Sequence, residues 1–170
     1  MKPFVSATLP VLFLFLLVSP ALQAGTLSGI DPCALVAPDK VYAAFPALKT
    51  MKKQTIGANT TCNYLDKLGL PGLMVSVHQY DGISPHAMME NLGEGYTVKN
   101  VPGLGDEAAM ALTRPDPALA IPGGLVAELY VKKGNTTLLI APMRIEVRAA
   151  GEGLEKLQEL AGEMLEQLPQ

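Results

Sequence analysis

Two histidines and two methionines are the side chains of this sequence best suited to binding a soft metal ion. His78 and His86 are eight residues apart, and Met88 and Met89 follow the second of them closely. Imidazole and thioether ligands suit copper, so a copper-binding site on these four residues is one hypothesis. Adjacent methionines also fill the underside of a short apolar helix, which is the simpler interpretation. We therefore predict no cofactor and no metal, and we keep copper binding as the alternative.

A short glycine pattern and two carboxylates are the remaining candidates for catalysis or nucleotide binding. Residues 103–108 match G-x-G-x-x-A, but they precede a predicted strand outside any βαβ unit, which favours a tight turn. Asp106 and Glu107 are adjacent, so on a strand they would face opposite sides. A hydrolase would have to bring His78 or His86 to one of these carboxylates, and there is no G-x-S-x-G motif. We predict that the protein is not an enzyme.

The first 24 residues resemble a signal peptide. Lys2 precedes an uncharged apolar run, residues 4–22, and small residues follow, so cleavage is expected after Ala21 or Ala24. The same run is the alternative of an uncleaved anchor, which is the one case in which we expect membrane association. Residues 25–30 would then be a flexible leader, and residues 31–170 a single domain. The predicted location is periplasmic or secreted.

The chain has two cysteines, Cys33 and Cys62. An exported chain meets an oxidising compartment, where a cysteine pair outside a C-x-x-C motif is typical of a structural disulfide. We predict that Cys33 and Cys62 form one.

The overall charge argues against nucleic-acid binding. The sequence contains 13 basic and 16 acidic residues, for a formal charge of −3. Lysines cluster at residues 49–53 and again at Lys132 and Lys133, without the aromatic residues that stack on bases. Binding to nucleic acid needs a concentrated cationic face, so we predict none.

The patterning of apolar residues predicts an α+β fold with an antiparallel sheet packed by helices. Asp31-Pro32 and Pro38 are typical of helix starts, and Ser84-Pro85 of another. Hairpins are predicted with turn residues 68–72 and with a turn at Gly134-Asn135. The element order is α-β-β-α-β-β-β-α with one disulfide. The predicted strands are residues 60–65, 73–80, 107–113, 125–133 and 136–141, and a further strand at 143–148 is left open. The last helix is amphipathic from Leu154 to Leu168.

A proline-rich loop, residues 114–124, is the longest predicted irregular segment. Loops on a rigid scaffold often carry binding residues, and a stiff apolar loop loses little entropy when it binds. Packing of the loop over the core is the alternative interpretation. The candidate binding residues are Pro115, Pro117, Leu119, Ile121 and Pro122.

Three segments together resemble a family of small exported bacterial proteins, many of them actinobacterial lipoproteins, that has no agreed activity. They are the Pro-Cys-x-Leu segment at residues 32–35, the Cys-x-Tyr segment at 62–64 and Gly-Leu-Gly-Asp-Glu-Ala at 103–108. The resemblance implies a compact α/β sandwich similar in shape to photosystem accessory and nuclear-transport cofactor proteins, which work by binding. The chain departs from the family at Ala37, where a hydroxyl cap is usual, and in lacking a lipidation cysteine at the end of the signal. The resemblance implies a fold and an exported location but no catalytic residue.

These observations predict an exported envelope protein that is a non-enzymatic binding or assembly module. Its expected partner is another envelope protein or an apolar ligand, bound through one sheet face and the loop at residues 114–124.

Overall fold

The computed structural model describes residues 29–57, 59–79 and 82–169, so the predicted signal peptide and most of the predicted leader lie outside the described residues. Helices and strands combine in an α+β fold with an antiparallel sheet, which confirms the predicted class. Among the described residues, no helix is long and apolar enough to cross a membrane. The elements are α1 Pro38–Ala44, β1 Leu48–Ile56, β2 Asn59–Asp66, β3 Pro71–Gln79, α2 Pro85–Glu90, β4 Tyr96–Asn100, β5 Glu107–Thr113, β6 Val126–Lys133, β7 Thr136–Pro142 and α3 Glu152–Glu166.

The seven strands form one sheet in the order β1-β2-β3-β7-β6-β5-β4. Two runs of consecutive antiparallel strands, β1 to β3 and β4 to β7, meet where β3 pairs with β7. Strand β7 therefore lies at the centre, while β1 and β4 are the two edges. The β6–β7 hairpin turns at Gly134-Asn135, as predicted, with Gly134 in the left-handed region that this turn requires.

Helices α1 and α3 cover one face of the sheet. Leu73 and Val75 of β3 point to this face, and the register places Ile140 of β7 opposite Val75. The amphipathic pattern predicted for the last helix is confirmed, because its apolar side is buried in the same cluster. The face is closed by six buried residues of α3: Leu154, Leu157, Leu160, Ala161, Met164 and Leu165.

The short helix α2 covers part of the opposite face, which we call the α2 face. Its N-terminus is capped as predicted, with the Ser84 hydroxyl accepting a hydrogen bond from the Ala87 amide at 3.2 Å. Met89 is buried against Ala109 and Ala111 of β5. Helix α2 contacts β4, β5 and β6, so it lies over that side of the sheet.

The prediction of a helix that begins at Asp31-Pro32 is wrong. The Asp31 carboxylate instead accepts a hydrogen bond from the Cys33 amide at 3.0 Å, which closes a local turn. Pro38 also forces Ala37 into an extended conformation, and the disulfide fixes Cys33 to β2. The first helix is therefore α1, which starts at Pro38 without a side-chain cap, as expected from Ala37.

The strands of the structure differ from the predicted ones in three places. Strands β1 and β4 were not predicted. The further strand considered at residues 143–148 does not form, because this segment bends and makes only an isolated bridge between Leu125 and Arg148. Both missed strands are edges whose residues are mostly exposed. Strand β1 buries only Leu48, so it lacks the alternation of apolar and polar residues on which strand prediction depends. Strand β4 does alternate Tyr96 and Val98 with polar residues, but it is only five residues long.

Candidate functional site

The predicted binding loop is a rigid, self-contained turn. Asp116 and Ile121 exchange two backbone hydrogen bonds, both 2.9 Å long. The Asp116 carboxylate also accepts hydrogen bonds from the amides of Ala118 and Leu119, at 2.9 and 3.3 Å. These bonds satisfy the backbone within the loop itself, so the tip keeps its shape without packing on the core.

The base of the loop is fixed to the end of β5. The Thr113 hydroxyl donates a hydrogen bond to the Pro122 carbonyl at 2.7 Å and accepts one from the Leu125 amide at 3.1 Å. Gly123 packs so tightly on the Pro115 ring that an added Cβ would lie 2.8 Å from the Pro115 Cδ. The loop therefore projects from the sheet as one stiff unit.

The apolar side chains of this loop point into solvent. Leu119 is 70% exposed and Ile121 is 38% exposed, while Pro115, Pro117 and Pro122 are also exposed. The alternative interpretation, a loop packed over the core, does not fit this exposure. Binding by these five residues remains a prediction.

Two other connections at the same end of the sheet also expose apolar side chains. The β2–β3 turn carries Leu68 and Leu70, and Met143 follows β7 with its amide bonded to the Gly72 carbonyl at 2.9 Å. In the described part of the chain, five of the eight large exposed hydrophobic residues thus lie at this end. We call this set the apolar rim: Leu68, Leu70, Leu119, Ile121 and Met143.

All three arginines of the sequence lie at this end as well. Arg114 begins the loop, and Arg144 and Arg148 belong to the segment that leads from β7 to α3. Arg144 lies 3.7 Å from the Asp66 carboxylate, and Arg148 lies 3.5 Å from that of Glu146. Because both guanidinium groups are more than half exposed, these pairs add little stability and the groups remain accessible.

Sequence reasoning found only the loop part of the apolar rim. The signal for the β2–β3 part was present, because Leu68 and Leu70 interrupt a turn in which polar residues and glycine are usual. The Asp66 carboxylate closes that turn by accepting hydrogen bonds from both leucine amides, at 2.8 and 3.0 Å. The backbone of the turn therefore fixes where both leucine side chains project.

The four candidate metal ligands occupy different environments. His78 lies on β3, where its Nε2 is 2.9 Å from the Ser76 hydroxyl, and burial lowers its pKa. His86 lies on α2 with its Nδ1 2.7 Å from the Asn100 side-chain oxygen. Met88 is half-buried on the same helix, whereas Met89 is only 1% exposed and packs on the sheet. Among the described residues, no three His, Cys, Asp or Glu side chains are grouped to hold a metal ion.

The glycine pattern and its carboxylates form a structural turn before β5. Gly103 and Gly105 both adopt positive φ. The Asp106 carboxylate accepts a hydrogen bond from the Gly134 amide at 2.7 Å, so it fixes the neighbouring β6–β7 hairpin. Glu107 starts β5 itself. This segment therefore orders two turns, and its backbone is not the start of a helix that could bind a pyrophosphate.

The predicted disulfide is confirmed. Cys33 and Cys62 are joined with 5.0 Å between their Cα atoms. The bond connects the segment before α1 to β2, and the adjacent ion pair of Lys53 with Asp31 at 2.9 Å crosses the same junction. The lysine holds the pKa of the Asp31 carboxyl below its usual range by hydrogen bonding. Both links fix the N-terminal segment against the sheet edge.

Comparison with known proteins leaves the family open. No protein-family model matches the chain, and neither the curated proteins nor the solved structures include a significant match.

Proposed function

We propose that this protein is a non-enzymatic binding module of the bacterial cell envelope, and that it docks a partner protein through the apolar rim. The observation that carries the proposal is the concentration of exposed Leu, Ile and Met side chains at one end of the sheet, together with every arginine of the chain. Exposed apolar side chains that are grouped, rather than scattered singly, are typical of interaction sites.

The composition of the rim favours a protein over a small apolar ligand. Protein interfaces combine apolar residues and methionine at the centre with arginine, and the exposed pairs of Arg144 and Arg148 fit the polar margin of such a surface. An apolar ligand needs a concave site that removes most of its surface from water. The rim is instead made of projecting turns, which suit a groove on another protein.

The rigidity of the rim supports docking without a large loss of entropy. The Asp116 bonds and the Thr113 bonds fix the tip and the base of the loop before any partner is present. A preformed surface keeps more of its interaction energy as affinity, because fewer side chains and backbone angles must be ordered.

An envelope location is supported by the disulfide and by the sequence of the first 24 residues. Disulfides persist in oxidising compartments, which include the bacterial periplasm. The apolar run at residues 4–22, preceded by Lys2 and followed by small residues, is the pattern of an export signal.

Site-specific photocrosslinking in the producing cells tests the docking surface. A photoreactive phenylalanine analogue at Leu119 or at Met143 is expected to give one crosslinked protein band. The matched control is the same analogue at Ile56, which is equally exposed but lies at the opposite end of the sheet. A second pair of variants, Leu119→Asp and Ile56→Asp, shows whether loss of the band follows the rim.

The outcomes separate the partner classes. A protein band is expected from the analogue at Leu119 and from the analogue at Met143. If Leu119→Asp weakens the band obtained with the analogue at Met143, the result supports a protein partner on the rim. A lipid or other small apolar adduct, identified by intact mass, would replace the protein partner with an apolar ligand. Identical crosslinks from the rim and from Ile56 would contradict the proposal.

A further inference from the structure

Strand β4 is an edge of the sheet, and among the described strands it pairs only with β5. Just before β4, the Gly95 carbonyl accepts a hydrogen bond from the Arg114 amide at 2.8 Å. Just after it, the Val101 amide donates a hydrogen bond to the Ala108 carbonyl, also at 2.8 Å. Residues 95 and 101 thus turn their backbone groups toward β5, and successive residues of an antiparallel strand alternate in this respect. The backbone groups that point outward from the edge include those of Val98 and Asn100.

The two edges of the sheet differ in how they are protected from further pairing. Strand β1 has a register irregularity between Leu48 and Thr50 and carries three lysines. Bulges and lysines are devices that keep a second chain from pairing with an edge. Strand β4 pairs with β5 without a register shift, has no proline and carries one lysine, Lys99. The β4 edge is therefore the one that is open to an added strand.

An open groove of about 490 Å³ lies beside this edge, between β4 and α2. Met89 of α2 is 1% exposed, and the half-buried side chains of Tyr96 and Val98 pack in the same cluster, so the floor of the groove is apolar. A peptide that pairs with a strand edge points every second side chain to the same face of the sheet. A groove beside an exposed edge gives such side chains a place to bind.

The walls of the groove carry more negative than positive charge. Glu90 and Glu94 supply two exposed carboxylates, whereas Arg114 supplies one guanidinium group. The Glu90 carboxylate lies 3.6 Å from Nε2 of His86 on the same helix. Opposite charges on neighbouring strands attract, so an added strand gains from a basic side chain on the side that faces α2.

We propose that the β4 edge binds an extended peptide segment of another protein, whose side chains facing α2 are apolar, basic and apolar in turn. The peptide backbone bonds to the outward groups of Val98 and Asn100. Its apolar side chains lie on the floor of the groove, and its basic side chain lies near Glu90 and Glu94. This site is separate from the apolar rim and does not depend on the docking function proposed above.

Charge favours a foreign peptide over a second copy of this chain. In a second copy, the β4 side chains on the face of α2 would be Tyr96, Val98 and Asn100, none of which is basic. Lys99 is paired with Met110, which belongs to the core on the opposite face of the sheet, so Lys99 points away from α2. Pairing of two β4 edges would leave the carboxylates of the groove without a cationic partner from either strand.

Titration of the purified protein with the acetylated and amidated peptide Val-Thr-Lys-Thr-Val, followed by NMR of the backbone amides, tests the proposal. We expect the Val98 and Asn100 amide resonances to shift and saturate, and the exchange of both amide hydrogens with solvent to slow. The peptide with glutamate in place of lysine is expected to bind about fivefold more weakly. Methylation of the backbone nitrogen of the central lysine removes a donor that faces β4, so it is expected to weaken binding about tenfold.

Variants of the protein test the same two contacts from the other side. Glu94→Lys is expected to weaken binding of the lysine peptide about fivefold, while Glu155→Lys, an exposed position on α3, leaves it unchanged. Val98→Pro removes an outward amide at an edge position that tolerates proline, and is expected to weaken binding about tenfold. Leu119→Asp is expected to keep full peptide binding, so failure of the rim proposal and failure of this one can be told apart.

The peptide controls keep the test decisive even if a protein variant folds poorly. Unmoved Val98 and Asn100 resonances at about 10 mM peptide would overturn the site. Equal binding of the methylated peptide would overturn strand addition, and equal binding of the glutamate peptide would overturn the preference for a basic side chain. Slow exchange at Val98 that depends on protein concentration without any peptide would replace the foreign segment with a second copy of this chain.

Discussion

Breaking the Cys33–Cys62 disulfide is the perturbation whose cost follows most directly from the structure. The bond joins residues 29 positions apart in the sequence. In the chain-entropy description, opening a loop of this length returns about 12 cal/mol/K to the unfolded chain, or about 3.6 kcal/mol at 25 °C. That is a large share of the 5–15 kcal/mol that usually stabilises a domain.

Urea unfolding of three samples separates the contributions. The samples are the oxidised protein, the same protein reduced with dithiothreitol, and Cys33→Ala/Cys62→Ala. Reduction removes only the closure, whereas the double variant also removes the sulfur of Cys62, which is fully buried. We expect the unfolding midpoint to fall by between about 1 and 4 M urea on reduction, with a further small fall in the double variant.

A change in the slope of the unfolding free energy against urea concentration, together with the fall in midpoint, would support the loop-closure explanation. An unfolded chain without the crosslink exposes more surface, so the dependence of the unfolding free energy on urea should become steeper. If the reduced protein unfolds within about 1 kcal/mol of the oxidised one, the loop-closure account is refuted for this chain. In that case the ion pair of Lys53 and Asp31 and the packing of residues 31–37 would have to hold the segment.

Three further predictions concern single residues. Tyr64 is fully buried with an unpaired hydroxyl, and burial raises its pKa to about 12, so unfolding, which restores a pKa near 10, is favoured between pH 10 and 12. Urea unfolding at pH 7, 10 and 11 should show that Tyr64→Phe raises stability by about 1 kcal/mol at pH 7 and removes the loss of stability at alkaline pH. Burial raises the pKa of Glu128, so the stabilising contribution of its protonated carboxyl is present at acid pH and is lost as pH rises through the pKa of the folded protein. The stability gained by Glu128→Gln should therefore grow between pH 4 and 7, and a gain that is constant with pH would contradict burial as the cause of the shift. Gly105 has a φ of +63°, and the Lys132 carbonyl and the Val131 side chain occupy the position that a Cβ would take. Gly105→Ala should therefore destabilise the fold by more than about 2 kcal/mol in thermal unfolding, whereas Gly103→Ala, which has positive φ but open space, should cost only about 1 kcal/mol.

The sequence was sufficient to predict the helices and strands that bury one face, and insufficient to predict those that do not. The α3 helix and strands β3, β6 and β7 follow from their apolar periodicity, and the disulfide follows from the predicted export signal and the cysteine count. Strand β1 could not be found this way, because eight of its nine residues are exposed and its lysines disrupt any alternation. The Asp31 helix failed because the same Asp-Pro pair can close a turn, and only the tertiary link to β2 decides between them.

The predicted loop and the buried Glu128 carboxyl show the same division between local and tertiary information. The loop at residues 114–124 was visible from its prolines, but its exposure depends on the Thr113 and Asp116 bonds. Glu128 was not singled out, since a lone glutamate between Ala127 and Leu129 predicts a solvent-facing strand position. Its buried oxygen becomes apparent only when the register brings Ala111 and Ala141 to its sides.

Residues that contradict the local rules of folding are of two kinds in this molecule, and the difference decides which of them indicates function. The lysines of β1 contradict strand patterning, but they protect an unpaired edge from aggregation, so folding alone explains them. Leu119 at a loop tip gains nothing from folding, since it leaves apolar surface in water. Features that cost stability without a structural return are expected where a protein binds something. That is why the apolar rim carries the docking proposal, whereas the basic edge strand carries none.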